Sequence, residues 1–238
     1  MKIYTSIPLS LPQTALTIGF FDGVHRGHQE LLKTLKQQGR HATALTFISP
    51  PSTVVSPHLS PAPLLTPWPM KLALLQQSGI DAVILLPFTL EFAATPFDQL
   101  LSQFSLSALV LGTGSAFGKN REGNEVNIKR FAENRPFSIH YLPKETFEGK
   151  AISSSAIRQA ILSGDLPLAA QLLGRPHAVS FPGNETELTI QNLCLPPDGV
   201  YSVSAEKEKI ELTLRTLASG EKRLNLNQPL PNQTLLKF

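Results

Sequence analysis

Apolar positions along this chain switch between two spacings. Short continuous runs at 15–20, 41–47, 80–87 and 109–111 have the length and density of strands buried on both faces. Between them apolar residues recur at helical spacing, as in Leu31, Leu32 and Leu35, and again in Leu72, Leu74 and Leu75. Local signals set the ends of these segments. Gly39 and Gly79 are expected to stop the first two helices, the second of them opened by Thr66-Pro67; Thr95-Pro96 is expected to open another, and Asp165 with Pro167 to cap a later one. A further helix is expected from Gly123 to about Asn134, a strand over 137–142 and a helix over 154–163. Pro50, Pro51, Pro57, Pro61 and Pro63 make the connection at 50–63 too proline-dense for a helix or a central strand.

This alternation predicts an α/β class, a Rossmann-like parallel sheet with helices on both faces. Ligands of such sheets bind beyond the carboxyl ends of the strands, so the loops after Phe20, Phe47, Phe88 and Leu111 should line the site. After Pro176 the texture becomes alternating and β-branched, as in Leu188-Thr189-Ile190, Val200-Tyr201-Ser202-Val203 and 210–214. The expected organisation is a domain over 1–177 and a small all-β appendage over 178–238, near the lower size limit for an independent core.

Composition narrows the function classes. The 238 residues are 42% hydrophobic and 16% charged, with a net charge of +3 and no run of Lys or Arg. A nucleic-acid partner is therefore not expected. Cys194 is the single cysteine, which rules out an intrachain disulfide and a thiolate metal site, and no metal-ligating set stands at a recognisable spacing. With neither a signal-peptide core nor an apolar stretch of membrane-span length, the expected location is the cytoplasm, with no membrane partner.

The segment Gly19-Phe20-Phe21-Asp22-Gly23-Val24-His25-Arg26-Gly27-His28 carries the chemistry. A strand ends, glycines permit a tight turn, and two histidines three residues apart fall where a helix begins. That spacing puts both imidazoles on one side of the first turn, beside free backbone N–H groups that favour anions. The arrangement suits a triphosphate, with imidazoles donating to its non-bridging oxygens as charge develops. A second feature is Ile152-Ser153-Ser154-Ser155-Ala156-Ile157-Arg158, hydroxyls at a helix start with a guanidinium one turn on. Alone it reads as an N-cap with an exposed arginine. Beside the histidine segment it reads as the other half of a pyrophosphate clamp.

These elements resemble the bacterial FAD synthetases of the nucleotidyltransferase superfamily. Residues 19–28 are similar to that family's Gly-x-Phe-Asp-Gly-x-His-x-Gly-His, and 153–158 to its Ile-Ser-Ser-Thr-x-Ile-Arg. Phe117-Gly118-Lys119-Asn120-Arg121-Glu122-Gly123 resembles its Phe-Gly-x-x-Arg-x-Gly, and Leu172-Leu173-Gly174-Arg175-Pro176 the junction with its second domain. The resemblance covers roughly residues 14 to 177. It implies transfer of AMP from ATP to FMN, with FAD and pyrophosphate as products and Mg²⁺ accompanying the ATP. His25, His28 and Arg158 would be catalytic. Gly19, Phe20, Asp22, Gly23, Gly27, Ser153, Ser154 and Ser155 would bind ATP, and Phe47, Gly112, Phe117, Gly118 and Arg121 would form the acceptor loops. Asp22 either orients the loop or joins the metal shell; a loop cap fits equally.

Two loops depart from the family pattern. Gly114 stands where an Asp or Asn is usual, and Phe47-Ile48-Ser49-Pro50-Pro51 lacks the histidine of Phe-x-Pro-His-Pro. Another phosphorylated acceptor is the alternative these changes leave open. The region after 178 resembles a shortened riboflavin kinase barrel without its Pro-Thr pair and with one glycine, Gly183, at the phosphate cradle. Loss of kinase activity is expected, a bifunctional enzyme being the alternative; Asn192 and Glu211 are expected to solvate strand edges.

Overall fold

The computed structural model describes residues 1–9, 11–38, 41–206, 208–230 and 234–238, and Gly39, the expected helix stop, lies outside them. Contacts divide the chain into two units, residues 1–61 with 71–146 and residues 62–70 with 147–238. Residues 147–177 are thus grouped by contacts with the β region.

The first unit is built on strands β1 (Lys2–Tyr4), β2 (Thr14–Ile18), β3 (Ala42–Phe47), β4 (Ala82–Leu86), β5 (Leu106–Gly112) and β6 (Ser138–Leu142). All pair in parallel, in the order β1-β4-β3-β2-β5-β6. The helices are α1 (Arg26–Gln37), α2 (Ser52–Val55), α3 (Trp68–Gln77), α4 (Leu90–Ala93), α5 (Phe97–Leu101) and α6 (Glu125–Ala132). Because side chains alternate along a strand, each strand serves two cores. Ala15, Ala44, Val83 and Ala108 meet Leu31, Leu32 and Leu35 of α1 with Leu72 and Leu75 of α3. Leu16, Leu45, Ile84 and Leu109 face the other way, towards Leu100 and Leu101 of α5 and Ile128 of α6. Small residues on the first face let the broad leucine stripe of α1 approach the sheet. Each fully buried leucine there contributes about 2 kcal/mol.

Three local expectations change. Helix α1 begins at Arg26, not His28. A four-residue helix, α2, forms in the proline-rich connection. It tolerates Pro50 and Pro51 because both precede its hydrogen-bonded turn, where a missing N–H costs nothing. The short β1 pairs only with β4, at the sheet edge, and its three residues are too few to show a pattern.

In the remaining chain a hairpin of β7 (Thr146–Phe147) and β8 (Lys150–Ala151) turns through Glu148 and Gly149, both at positive φ, as a two-residue hairpin requires. Two helices follow, α7 (Ser154–Leu162) and α8 (Leu166–Leu173), burying Ile157, Ile161, Ala169 and Leu173 against Ile152, Leu65 and Cys194. Then come β9 (Ala178–Phe181), β10 (Glu187–Ile190), β11 (Gly199–Ala205), β12 (Glu208–Thr216), β13 (Lys222–Leu226) and β14 (Thr234–Lys237). They form one antiparallel sheet in the order β10-β13-β12-β11-β14-β9. Its buried face is a core of Val203, Ile210, Leu212, Leu214, Leu224 and Leu236. The 60-residue β region therefore does not stand alone; its unit includes α7, α8 and residues 62–70. In the latter, Leu64 N–H donates to Asn192 O and Leu64 O accepts from Cys194 N–H, both at 2.7 Å.

Candidate active site

Strand order reverses at β2. From there the chain builds outwards through β3 and β4 on one side, then crosses to β5 and β6 on the other. The loop leaving β2 therefore opens at the topological switch point, where parallel sheets leave a crevice for ligands. Residues 19–28 form that loop and the start of α1.

The backbone there is strained. Phe21, Gly23 and Val24 all have positive φ, at 54°, 80° and 39°. For the β-branched Val24 such a conformation is an outlier, and it is held because Phe21, Asp22, Gly23 and Val24 are all buried. Gly19 is required by close approach, since a Cβ there would meet the Phe21 ring at 3.1 Å. Its N–H donates to Leu45 O at 3.0 Å. The turn delivers His25 to the N-cap of α1 in an extended conformation. No side chain caps this helix, and its first turn contains no acidic residue. The positive end of the helix dipole is thus left for an external anion.

His25 and His28 come together as a stack, ring centroids 3.7 Å apart and inclined by 17°, with Phe21 edge-on to His28 at 5.2 Å. Gly27 makes room for this, because a Cβ at that position would lie 3.3 Å from His25 Cε1. Burial, then the neighbouring His25, then the Lys71 ammonium push His28 well below the ordinary histidine range. Its Nδ1 is buried with no hydrogen-bond partner among the described residues. His28 is therefore a neutral, desolvated donor that gains most when negative charge arrives next to it.

Sequence reasoning missed Lys71. It is 1% exposed, and its Nζ donates to Phe20 O at 3.0 Å and to Phe47 O at 2.7 Å. Phe20 turns its ring under the same ammonium at 4.1 Å. Asp22, 3% exposed, acts electrostatically on Lys71 and partly offsets the burial that lowers the lysine to about 8. A signal was present in the sequence: Lys71 shares the helix face of Leu75, four residues on, where a solvent-facing lysine would not stand.

Of the residues expected to face the acceptor, Phe47 is 4% exposed, packed edge-on against Phe88 at 4.9 Å and Phe92 at 5.1 Å. Gly112 ends β5, and Gly114 adopts φ 80°, a left-handed position that Asn and Asp tolerate better than other side chains. Phe117 bridges to Gly123, and Gly118 (φ 75°) presses on α5, a Cβ there lying 2.7 Å from Phe97 N. Arg121 is exposed and also left-handed, at φ 59°.

The serine element belongs to the second unit. Ser153 is the N-cap of α7, its Oγ accepting from Ala156 N–H at 3.2 Å. Ser154 and Ser155 open the helix, and Arg158 Nε donates to Pro63 O at 2.7 Å. Ser155 and Arg158 line an open cavity of about 510 Å³ with Ala62, Gln159, Leu162 and Ser163. The candidates for kinase chemistry are both exposed. Asn192 is left-handed, at φ 56°, and Glu211 sits on β12. Among the described residues no group of three or more His, Cys, Asp or Glu could hold a metal ion, and no helix is long and apolar enough to cross a membrane.

Comparison with known proteins converges on one family. The FAD synthetase family model matches residues 8–156. A bifunctional riboflavin kinase/FMN adenylyltransferase of Listeria monocytogenes is 31% identical over 210 residues, covering 79% of this chain and 66% of the relative. The Bacillus subtilis protein of that name is 30% identical, covering 82% and 68%. The Escherichia coli K12 protein is 34% identical, covering 79% and 66%. The chain thus spans about two thirds of the length of these curated relatives. The crystal structure of a macrolide-efflux protein from Streptococcus pneumoniae shares the fold, with a TM-score of 0.79 at 21% identity over 100% of this chain and 88% of that one. With more than half its residues matched by the family model, the chain belongs to the FAD synthetase family.

Proposed function

We propose that the chain is an FMN adenylyltransferase, transferring AMP from ATP to FMN to give FAD and pyrophosphate. One observation carries this reading: the stacked His25–His28 pair, held at the switch point by the strained turn at 21–24, beside the uncapped start of α1. A phosphate oxygen of FMN attacks the α-phosphorus of ATP in line, the bond from that phosphorus to the β-bridging oxygen breaks, and pyrophosphate leaves. No covalent enzyme intermediate is required, because positioning and charge stabilisation supply the rate.

In this reading His25 and His28 donate to phosphate oxygens. The neutral state that burial imposes on His28 lets it accept a proton as polyphosphate charge builds beside it. Gly19, Phe20, Gly23 and Gly27 shape the turn, and Asp22 anchors it through Lys71. Ser153, Ser154, Ser155 and Arg158 are assigned to the leaving pyrophosphate; Gly112, Phe117, Gly118, Arg121 and the Phe47 loop to the acceptor. Mg²⁺ enters as part of the Mg-ATP substrate, held by phosphate oxygens and water. Working on ATP and FMN, the enzyme belongs in the cytoplasm. The exposed positions of Asn192 and Glu211 support a chain without riboflavin kinase activity.

Incubation with Mg-ATP and either FMN or riboflavin, following flavin species and pyrophosphate, tests both statements. FAD from FMN with nothing from riboflavin is the expected result. FMN appearing from riboflavin would overturn the kinase statement, and no pyrophosphate with FMN would overturn the transferase.

A further inference from the structure

We infer that Lys71 is a positioning residue: its ammonium ties the carbonyl of Phe20, beyond β2, to the carbonyl of Phe47, at the end of β3, and so holds the turn that presents His25 and His28. The geometry is that of a cross-link. A parallel ladder leaves carbonyls without ladder partners where neighbouring strands end, and buried carbonyls need donors. Phe20 O receives two, Lys71 Nζ at 3.0 Å and Thr46 Oγ1 at 3.0 Å, while Phe47 O receives Lys71 at 2.7 Å. Thr46 is fully buried, so two side chains from two elements, β3 and α3, converge on one loop exit.

Packing alone does not account for the charge. A methionine would fill much the same volume without desolvating an ammonium. What the charge adds is directed at the site. It lies over the Phe20 ring at 4.1 Å, answers Asp22 in the strained turn, and opposes protonation of His28. The titratable groups acting on His28 are His25 from its own segment and Lys71 from α3. Removing the lysine therefore slackens the turn and releases one of the constraints that keep His28 neutral.

The test uses the whole chain with Lys71→Met and Lys71→Arg, and the readout is the His28 imidazole titration followed by NMR. In Lys71→Met the His28 midpoint moves up towards the ordinary histidine range, while Lys71→Arg, which retains a charge and donors, leaves it low. A residue that only packs would lower the melting temperature and leave that midpoint in place, and this result would overturn the inference. A measurement on the unsubstituted protein covers failure of either variant to fold. The amides of Phe21 and Ile48, each bonded to one of the two carbonyls, should shift together as Lys71 loses its proton near 8. Independent or absent shifts would sink the idea equally. A kinetic arm rests on the proposed transferase: Lys71→Met lowers kcat about 100-fold with KM for FMN little changed. A wild type that makes no FAD refutes the transferase alone, because the NMR arms still decide Lys71.

Discussion

In the parallel-sheet unit Asp22, His25 and Lys71 are 3%, 6% and 1% exposed, and they gather where β2 and β3 end. In the antiparallel unit the one comparably buried His, Lys, Arg, Asp or Glu among the described residues is His177, 3% exposed and bonded through Nε2 to Cys194 O at 2.9 Å. The first set is arranged around a strained turn beside His28, whose buried Nδ1 is unmatched among the described residues; the second is a matched pair inside a core. Burying polar groups costs free energy in both places. In the second unit the matched bond offsets that cost within the fold. In the first it is offset only in part, and under the proposed function the remainder is recovered when the polyphosphate arrives.

The largest effect expected from this contrast is on turnover. His28→Ala should lower the rate of pyrophosphate formation about 100- to 1000-fold while leaving FMN affinity and melting temperature nearly unchanged. Equal losses in rate and binding would make His28 a packing residue and erase the contrast.

Next in size is an acid response confined to the other unit. Burial lowers His177 to about 4 from 6.5, with Arg175 acting in the same direction and the Cys194 carbonyl against it. The folded state therefore binds fewer protons than the unfolded state between these values. Its stability is fully present above pH 6.5 and is lost as pH falls towards 4, by about 3 kcal/mol. Trp68, the single tryptophan, opens α3 and reports unfolding of the chain by fluorescence in urea titrations. His177→Gln, which keeps a donor but does not titrate, should lose that much less stability over the same range. Parallel acid curves for the two proteins would contradict it.

The smallest effect concerns Ser153. Ser153→Ala removes the cap of α7 and should cost about 1 kcal/mol, read as a lower urea midpoint. Ser153→Asp restores the cap but places a negative charge at that helix start. If the residue only caps, turnover is retained; if it also serves phosphate, turnover falls with stability intact.

Strands β2 to β5 of the parallel sheet were legible because burial on both faces writes them as apolar runs, and the α/β class follows from their alternation with helices. The β region could be read only in part. β12 alternates visibly, but β9, β13 and β14 pass too few residues through the core for a pattern to emerge. At the site the His25–His28 spacing was plain, whereas their stacking depends on the missing Cβ of Gly27 and on a left-handed turn that spacing does not encode. Lys71 offered only its place on the Leu75 face of α3, because its two carbonyl acceptors lie 24 and 51 residues away in the chain.

Residues 62–70 have a practical consequence for dissection of the molecule. They come from the middle of the chain, yet Leu65 fills the same core as Ile157 and Cys194, and Leu64 supplies backbone partners to Asn192 and Cys194. A fragment starting at 147 would leave a leucine-sized hole and bare amides, so no single cut yields an autonomous C-terminal piece. Linking 62–70 to that fragment by a short glycine-serine tether is what would make it self-sufficient.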